Sequence, residues 1–344
     1  MCYSVSMKMK LDRKAAIKKV KALVFSPKSE LAPFRAKLEK TFSSVFLPNH
    51  VECVDHNYGG VHCDVLHPVV YSSHRIIIYV HGGSFVGGSR NSWRNFCSSL
   101  AHETSCRVVV PEFRLPPSYP FPAGIEDLQA VFRMVYSEEA VAMQLEHSSS
   151  GLPSAVREDV QIILAADGSG ASLAIALLLK LRDKYRQCVK HLILFSPWLD
   201  VTSDNPLISG RHVSDEVISG DALHRAVDMY TYSSNIDNPH VSPLKADVES
   251  FKGFPHVYIQ MGQKEILLRD AERFRDILQK AGVEVTMDIW PDMMFMFQMA
   301  DEYLAESHLA LEKIGKTICE RAEDRDTQEE REDIMRKNNI VRDE

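Results

Sequence analysis

The stretch from residue 161 to residue 180 constrains the fold of this chain more than any other. Residues 161–165 are apolar, as expected of a buried strand, and residues 171–180 have the composition of a buried helix. Between them lies Asp167-Gly-Ser-Gly170, whose small residues permit a tight turn. We expect Gly168 at the tip of this turn with a positive φ, and a mainly parallel sheet built from such strand–helix units.

Strand and helix patterns alternate along the rest of the sequence. Val51–Asp55 and Val61–Leu66 flank Asn57-Tyr-Gly-Gly60, which predicts a β-hairpin. Helices between the later strands indicate crossovers, and hence an α/β fold with about eight strands. The other predicted strands cover 76–80, 107–111, 161–165, 191–195, 256–261 and 284–290. The predicted helices lie near 92–104, 122–145, 171–186, 267–281 and 298–319.

Several sequence blocks follow one another in a fixed order. They are His81-Gly-Gly-Ser84, Phe113-Arg-Leu-Pro-Pro117, Pro120-Phe-Pro-Ala123, Phe195-Ser-Pro-Trp-Leu-Asp200 and Gly262-Gln-Lys-Glu265. With this order and spacing, residues 75–320 resemble the hormone-sensitive-lipase branch of the α/β-hydrolase family of esterases and lipases. The resemblance implies an α/β-hydrolase fold, with a mainly parallel sheet of about eight strands, flanking helices, and N-terminal and internal cap helices.

The same resemblance implies how the chain is divided. Residues 1–49 are expected to hold cap helices, at 11–24 and 31–44, that either cover a pocket or pack on the sheet edge. Residues 50–320 form the hydrolase domain, with a cap insertion at about 203–240. The tail, 321–344, mixes acidic and basic residues, which predicts a disordered segment or a frayed helix.

Ester hydrolysis in this family requires a serine nucleophile, a histidine base and a carboxylate that orients the histidine. Gly168 occupies the position of the nucleophile, at the turn where the family has an exposed serine. Phe295, in Asp292-Met-Met-Phe-Met-Phe297, occupies the position of the histidine. Glu265 follows a predicted strand at the position of the acid. The resemblance therefore implies an esterase frame from which two of three catalytic groups are missing.

Two groups of residues remain candidates for function at this site. Ser169 is one residue beyond the tip, where it is a poorly placed substitute nucleophile, because a shift of one residue on a tight turn redirects the side chain. Backbone N–H groups of Gly82, Gly83, Ser84 and Ser169 form the expected oxyanion or ligand-binding set. The apolar residues around Phe295 either wall a pocket or fill it as core.

We therefore predict an esterase homologue that lacks conventional hydrolase activity. Such a pseudoenzyme would bind a small apolar, acyl or carboxylate ligand, or a protein partner. Plant gibberellin receptors, which are similar to this family, lack the histidine and bind a small carboxylic acid. Two alternatives stay open: a weak carboxylic-ester hydrolase that uses Ser169, and an interaction scaffold whose pocket is filled.

Composition excludes several other classes of function. The net charge is −7 and no basic face indicates nucleic acid. The 7 cysteines include no Cys-x-x-Cys pair, which favours reduced thiols in a cytoplasmic protein. The scattered cysteines and histidines near the hairpin lack the spacing of a zinc site, so we expect neither a metal nor a cofactor. No apolar run approaches the ~18 residues of a membrane span.

Overall fold

The computed structural model describes residues 12–43, 47, 51–71, 75–150, 160–202, 205 and 215–318, with the backbone alone over 146–150. The tail expected at 321–344 lies outside the described residues. So do parts of the expected N-terminal cap, 1–49, and most of residues 203–214 in the expected cap insertion.

A twisted sheet of eight strands forms the centre of the described residues. Its spatial order is β1-β2-β4-β3-β5-β6-β7-β8; β2 runs antiparallel to both of its neighbours, β1 and β4, and β3 to β8 are parallel to one another. This confirms the predicted α/β-hydrolase fold. The strands are β1 (Glu52–Tyr58), β2 (Val61–His67), β3 (Arg75–Val80), β4 (Arg107–Pro111), β5 (Gln161–Asp167), β6 (Val189–Phe195), β7 (His256–Gly262) and β8 (Val285–Trp290).

Helices cover both faces of this sheet, which leaves the parallel strands as continuous apolar runs. The ranges are α1 (12–20), α2 (Leu31–Phe42), α3 (Arg90–Thr104), α4 (Ala123–Ser150), α5 (Gly168–Lys180), α6 (Asp183–Arg186), α7 (Gly220–Tyr230), α8 (Leu268–Lys280) and α9 (305–318). None of the helices in the described ranges combines the length and apolar character needed to cross a membrane.

Two predicted helices are divided in the structure. The helix expected at 171–186 ends at Lys180, because Leu181 takes an extended conformation with ψ of 137° and is buried; the short α6 follows. The helix expected at 298–319 begins only at residue 305, after a single 3₁₀ turn, Phe297–Met299. Apolar content alone does not reveal such breaks, because buried apolar residues such as Leu181 and Leu304 also lie outside the helices.

The topology places the candidate site at the carboxyl ends of the central strands. In open α/β sheets this edge is where side chains and loops from several strands meet. The turns after β3, β5, β6, β7 and β8 supply, in that order, Ser84, Gly168, Ser196, Glu265 and Phe295. The fold therefore brings together residues that are up to about 210 positions apart in sequence.

Candidate active site

Gly168 lies at the tip of the turn from β5 into α5. Its φ is +47°, in the left-handed region that glycine enters without steric cost, as the sequence predicts. The carbonyl of Gly168 accepts a hydrogen bond from Trp198 N at 2.9 Å, which anchors the turn to the segment after β6. The backbone of the esterase turn is thus present without a side chain at its tip.

Phe295 lies directly over this turn. A Cβ atom added to Gly168 would lie 3.3 Å from Cζ of Phe295, so the two positions are immediate neighbours. Phe295 is buried, and the loop that carries it has Met296 in the left-handed region, with φ of +51°. The phenyl ring therefore occupies the space next to the nucleophile position, and it can neither accept nor donate a proton.

The loop that carries Phe295, residues 293–299, packs into the hydrophobic core. Its side chains are all less than 9% exposed, and only Phe295 among them borders the cavity beside Gly168. The sequence left open whether these apolar residues line an open pocket or fill it as core. Their packing favours the second interpretation. The buried members are Met293, Met294, Phe295, Met296, Phe297 and Met299.

Ser169 is turned away from any catalytic partner. It is 3% exposed, and its Oγ accepts a hydrogen bond from the backbone N–H of Phe85 at 2.8 Å. Within the described part of the chain, no histidine or carboxylate is hydrogen-bonded to this hydroxyl. The bond to Phe85 instead gives Ser169 a structural role in fixing the loop after β3.

Glu265, the expected acid, is buried and held by the segment after β6. Its Oε1 accepts hydrogen bonds from Ser196 Oγ at 2.9 Å and from the backbone N–H of Gly262. Ser196 Oγ in turn accepts a bond from Met296 N at 3.2 Å, so it links the acid to the loop of Phe295. Sequence reasoning missed this role of Ser196, although Ser196 lies in one of the family blocks.

The second oxygen of Glu265 has no partner. Oε2 is buried without a hydrogen bond in the described residues, and burial raises the pKa of Glu265 to about 8. A histidine in place of Phe295 would normally pair with this acid and favour its ionised form. Without that partner, the carboxyl is mainly protonated at neutral pH and cannot act as the anion of a triad.

The expected oxyanion set is only partly where the sequence placed it. Gly82 donates its N–H to Oδ1 of Asp167 at 2.9 Å, so that N–H is not available to a ligand. This bond is possible because Gly82 has no side chain: a Cβ there would clash with Asp167. Asp167 also accepts from the Tyr79 hydroxyl at 2.9 Å, and burial raises its pKa to about 7.

The other three members of the set remain together. Gly83 and Ser84 have φ of +95° and +56°, and both border the same cavity as Ser169. The backbone N–H groups of Gly83, Ser84 and Ser169 make no hydrogen bond within the described residues. These three backbone N–H groups remain available as hydrogen-bond donors, and a suitable partner for them is an oxygen atom.

The cavity that these donors border is small. Its volume is about 20 Å³, against the ~10–15 Å³ that one water molecule requires. No histidine of the described residues lines it. Apolar side chains from the N-terminal segment, from the residues around the start of α7 and from the loops after the strands line it: Leu23, Val24, Trp198, Ile218, Ala222, Leu223, Leu267 and Phe295.

The N-terminal segment is fixed over this cavity by the hydroxyl of Ser84. Ser84 Oγ accepts a hydrogen bond from Phe25 N at 3.0 Å and donates to the carbonyl of Leu23 at 3.3 Å. From the cap helix α7, Arg225 donates to the carbonyl of Ser26 at 3.3 Å and lies 4.6 Å from the ring centre of Phe25. We call residues 21–27 the N-terminal cover.

Two histidines of the hairpin lie beside carboxylates. His56 lies 3.4 Å from Glu138, and His62 lies 3.2 Å from Asp55. Across the described ranges, no three His, Cys, Asp or Glu side chains converge in the manner of metal ligands.

Comparisons with known proteins agree with this architecture. A family model described as alpha/beta hydrolase fold matches residues 77–299. An esterase of Acinetobacter venetianus is 32% identical over 246 residues, which cover 71% of this chain and 75% of that protein. An acetyl-hydrolase of Streptomyces hygroscopicus is 30% identical over 241 residues, 70% of this chain and 74% of that protein.

Solved structures extend the likeness to most of the chain. An esterase from the bacterial hormone-sensitive lipase family superposes with a TM-score of 0.75 at 25% identity, covering 89% of this chain and 97% of that chain. A hormone-sensitive lipase from a metagenome library gives a TM-score of 0.73 at 26% identity, over 91% and 97%. The chain belongs to the hormone-sensitive-lipase-like branch of the α/β-hydrolase family.

Proposed function

We propose that this chain is a pseudoenzyme of the esterase family, without hydrolytic activity of its own. The observation that carries the proposal is the contact between positions 168 and 295, where glycine and phenylalanine lie in the places of nucleophile and base. In a serine hydrolase, loss of either the serine or the histidine lowers turnover by on the order of 10⁶-fold. Here both are missing at once.

The weak hydrolase that uses Ser169 is the less favoured alternative. A serine hydroxyl is a poor nucleophile until a base removes its proton. Ser169 has no base within reach in the described residues, and its Oγ already accepts the bond from Phe85. Activation of Ser169 would require the loop after β3 to give up that bond.

The small volume of the cavity favours a role through the surface of the protein, as an interaction scaffold with a filled pocket. A space of about 20 Å³ excludes an acyl chain while the N-terminal cover stays in place. Binding of a small apolar or carboxylate ligand is the second candidate. The unused N–H groups of Gly83, Ser84 and Ser169 favour it, since they match a carboxylate or carbonyl oxygen.

Labelling by a fluorophosphonate probe tests the assignment of the two missing groups. We expect the wild type and Gly168→Ser to stay unlabelled, because Phe295 cannot take the proton of a serine. The double variant Gly168→Ser with Phe295→His restores a nucleophile and a base beside Glu265, and it is the variant most able to react. Rapid labelling of Gly168→Ser alone would contradict the proposal by showing that another base exists.

Binding of octanoate separates the two non-catalytic candidates. Saturation-transfer NMR on the wild type should show no saturable binding if the protein is a closed scaffold. Saturable binding that Phe295→Trp abolishes, by adding bulk to the cavity, would establish the ligand-binding role instead.

A cytoplasmic location is part of the proposal. It rests on the cysteines, of which Cys53, Cys63 and Cys97 form no disulfide bond within the described residues. Thiol labelling of the protein taken from its own cells tests this, and disulfide-linked protein would contradict it.

A further inference from the structure

A second, larger cleft lies apart from the former active site. Its volume is about 130 Å³, and it shares no lining residue with the cavity beside Gly168. It is enclosed by α1, the end of α2, α3, the segment after β8 and α9. Nothing in the esterase chemistry of the family frame uses this cleft, so it needs an explanation of its own.

Several polar groups that line the cleft have no partner in the protein. The side chains of Asn95, Ser99 and His308 make no hydrogen bond within the described residues. Gln298 is only 1% exposed, and its Oε1 is buried without a partner while its Nε2 donates to Gln260 at 3.0 Å. The unpaired oxygen of Gln298 is costly because it is buried, whereas Asn95 and Ser99 are half-buried and His308 is exposed, so that they can bond to water or to a ligand.

A single lysine in the cleft is shared between two carboxylates. Lys19 Nζ lies 3.5 Å from Asp301 and 3.3 Å from Glu302, and it lies 5.7 Å from the ring centre of Phe42. A ligand with a full charge would have to compete with one of these pairs. The free groups are neutral amides, a hydroxyl and an imidazole, and they include both donors and acceptors.

Four apolar side chains line the cleft beside its polar groups. Phe42, Phe96, Met299 and Leu311 all contribute to it, and each is less than 9% exposed. A suitable ligand therefore carries hydroxyl groups on one side and C–H groups on the other. A cavity of ~150 Å³ holds benzene, with six heavy atoms, so a molecule of about that size fits here.

We propose that this cleft binds a small neutral polyol, a molecule of the size of glycerol. Each hydroxyl group of a polyol both donates and accepts, which matches the mixed set formed by Asn95, Ser99 and Gln298. Its carbon chain covers the apolar side chains. The proposal is independent of whether the cavity beside Gly168 binds a ligand.

Saturation-transfer NMR with glycerol tests the proposal on the full chain in glycerol-free buffer. We expect saturable binding with a Kd on the order of 10 mM, since a ligand of six heavy atoms has little binding free energy available. Asn95→Leu and Ser99→Val should each weaken binding at least about fivefold. Ser137→Val, an exposed helical serine outside the cleft, serves as the matched control and should bind like the wild type.

Comparator ligands test the chemical class. Propan-1-ol keeps the three-carbon chain with a single hydroxyl group, and ethylammonium is a small cation without hydroxyl groups. Both should bind at least about fivefold more weakly than glycerol. The site would be overturned if the wild type showed no saturable glycerol binding. It would also be overturned if Asn95→Leu and Ser99→Val bound glycerol as tightly as the wild type does. Tighter binding of ethylammonium than of glycerol would overturn the polyol class. If Asn95→Leu does not fold, Ser99→Val alone decides the outcome.

Discussion

The ring of Phe295 and the backbone of Gly168 occupy adjoining positions, which in our proposal correspond to the imidazole and the serine hydroxyl of an active esterase. A side chain at residue 168 would have its Cβ 3.3 Å from Cζ of Phe295, which is tighter than most Cβ contacts. The two replacements therefore fit one another: the ring uses space that the absence of a side chain leaves free. Because Phe295 lines the cavity beside Gly168, this contact also contributes to the small volume of the cavity.

Gly168→Ala should destabilise the protein by about 1–3 kcal/mol. The cost combines the left-handed φ of +47° with the contact to Phe295. Gly253→Ala is a matched control, since Gly253 has φ of +74° but a Cβ there would have no atom within 4 Å. Urea denaturation of both variants measures the difference. A loss no larger for Gly168→Ala than for Gly253→Ala would show that Phe295 does not press on the turn.

Ser84→Ala should loosen the N-terminal cover. The substitution keeps the Cβ but removes the hydroxyl that accepts from Phe25 N and donates to Leu23. A net hydrogen bond contributes about 1 kcal/mol, so its loss should increase the equilibrium constant for opening of the N-terminal cover roughly fivefold. Hydrogen–deuterium exchange at the Phe25 amide measures it, with Ser250→Ala, at an exposed serine, as the control. Unchanged exchange at Phe25 would show that Ser84 does not hold the cover.

Glu265→Gln should change how stability depends on pH. The pKa of Glu265 is raised to about 8 in the folded chain, above its usual value of 4.5. The folded state therefore binds the proton more readily than the unfolded state, and this carboxyl's contribution to stability falls as pH rises from about 5 to 8. Glutamine cannot ionise, and it keeps an oxygen to accept from Ser196 and Gly262.

The unfolding free energy of Glu265→Gln should accordingly exceed that of the wild type by about 1–3 kcal/mol at pH 8 and match it more closely at pH 5. Urea denaturation at the two pH values measures this. Glu249→Gln, at an exposed carboxylate that pairs with Lys252, controls for the loss of a charge. A greater loss of stability at pH 8 than at pH 5 would contradict the assignment of Glu265 as a buried, protonated acid.

The sequence was sufficient to predict the sheet and the turn at Gly168, because both depend on local pattern and on the order of the blocks. It placed the N–H of Gly82 among the ligand-binding donors, whereas that N–H is used by Asp167. It also missed that Ser196 joins Glu265 to Met296. Each of these contacts joins residues at least 69 positions apart. Which acceptor a given donor bonds to is determined by the tertiary structure, because several acceptors are possible from the sequence alone.

The N-terminal cover shows the same limit. Apolar residues at helical spacing predicted α1 and α2, but the pattern was equally consistent with a lid and with packing on the sheet edge. What distinguishes a lid from packing on the sheet edge is the set of contacts that residues 21–27 make. These are the hydrogen bonds to Ser84 and Arg225, and the cavity that Leu23 and Val24 border. These are tertiary contacts, which a periodic pattern does not encode.

Hydrolysis of short p-nitrophenyl esters by the wild-type protein tests the central claim most directly. With Gly168 and Phe295 in place of nucleophile and base, we predict turnover no faster than that of a heat-denatured sample of the same preparation. Ser169→Ala, which removes the remaining hydroxyl at the turn, should give the same rate as the wild type. Saturable turnover by the wild type that Ser169→Ala abolishes would contradict the account and establish Ser169 as the nucleophile of an active hydrolase.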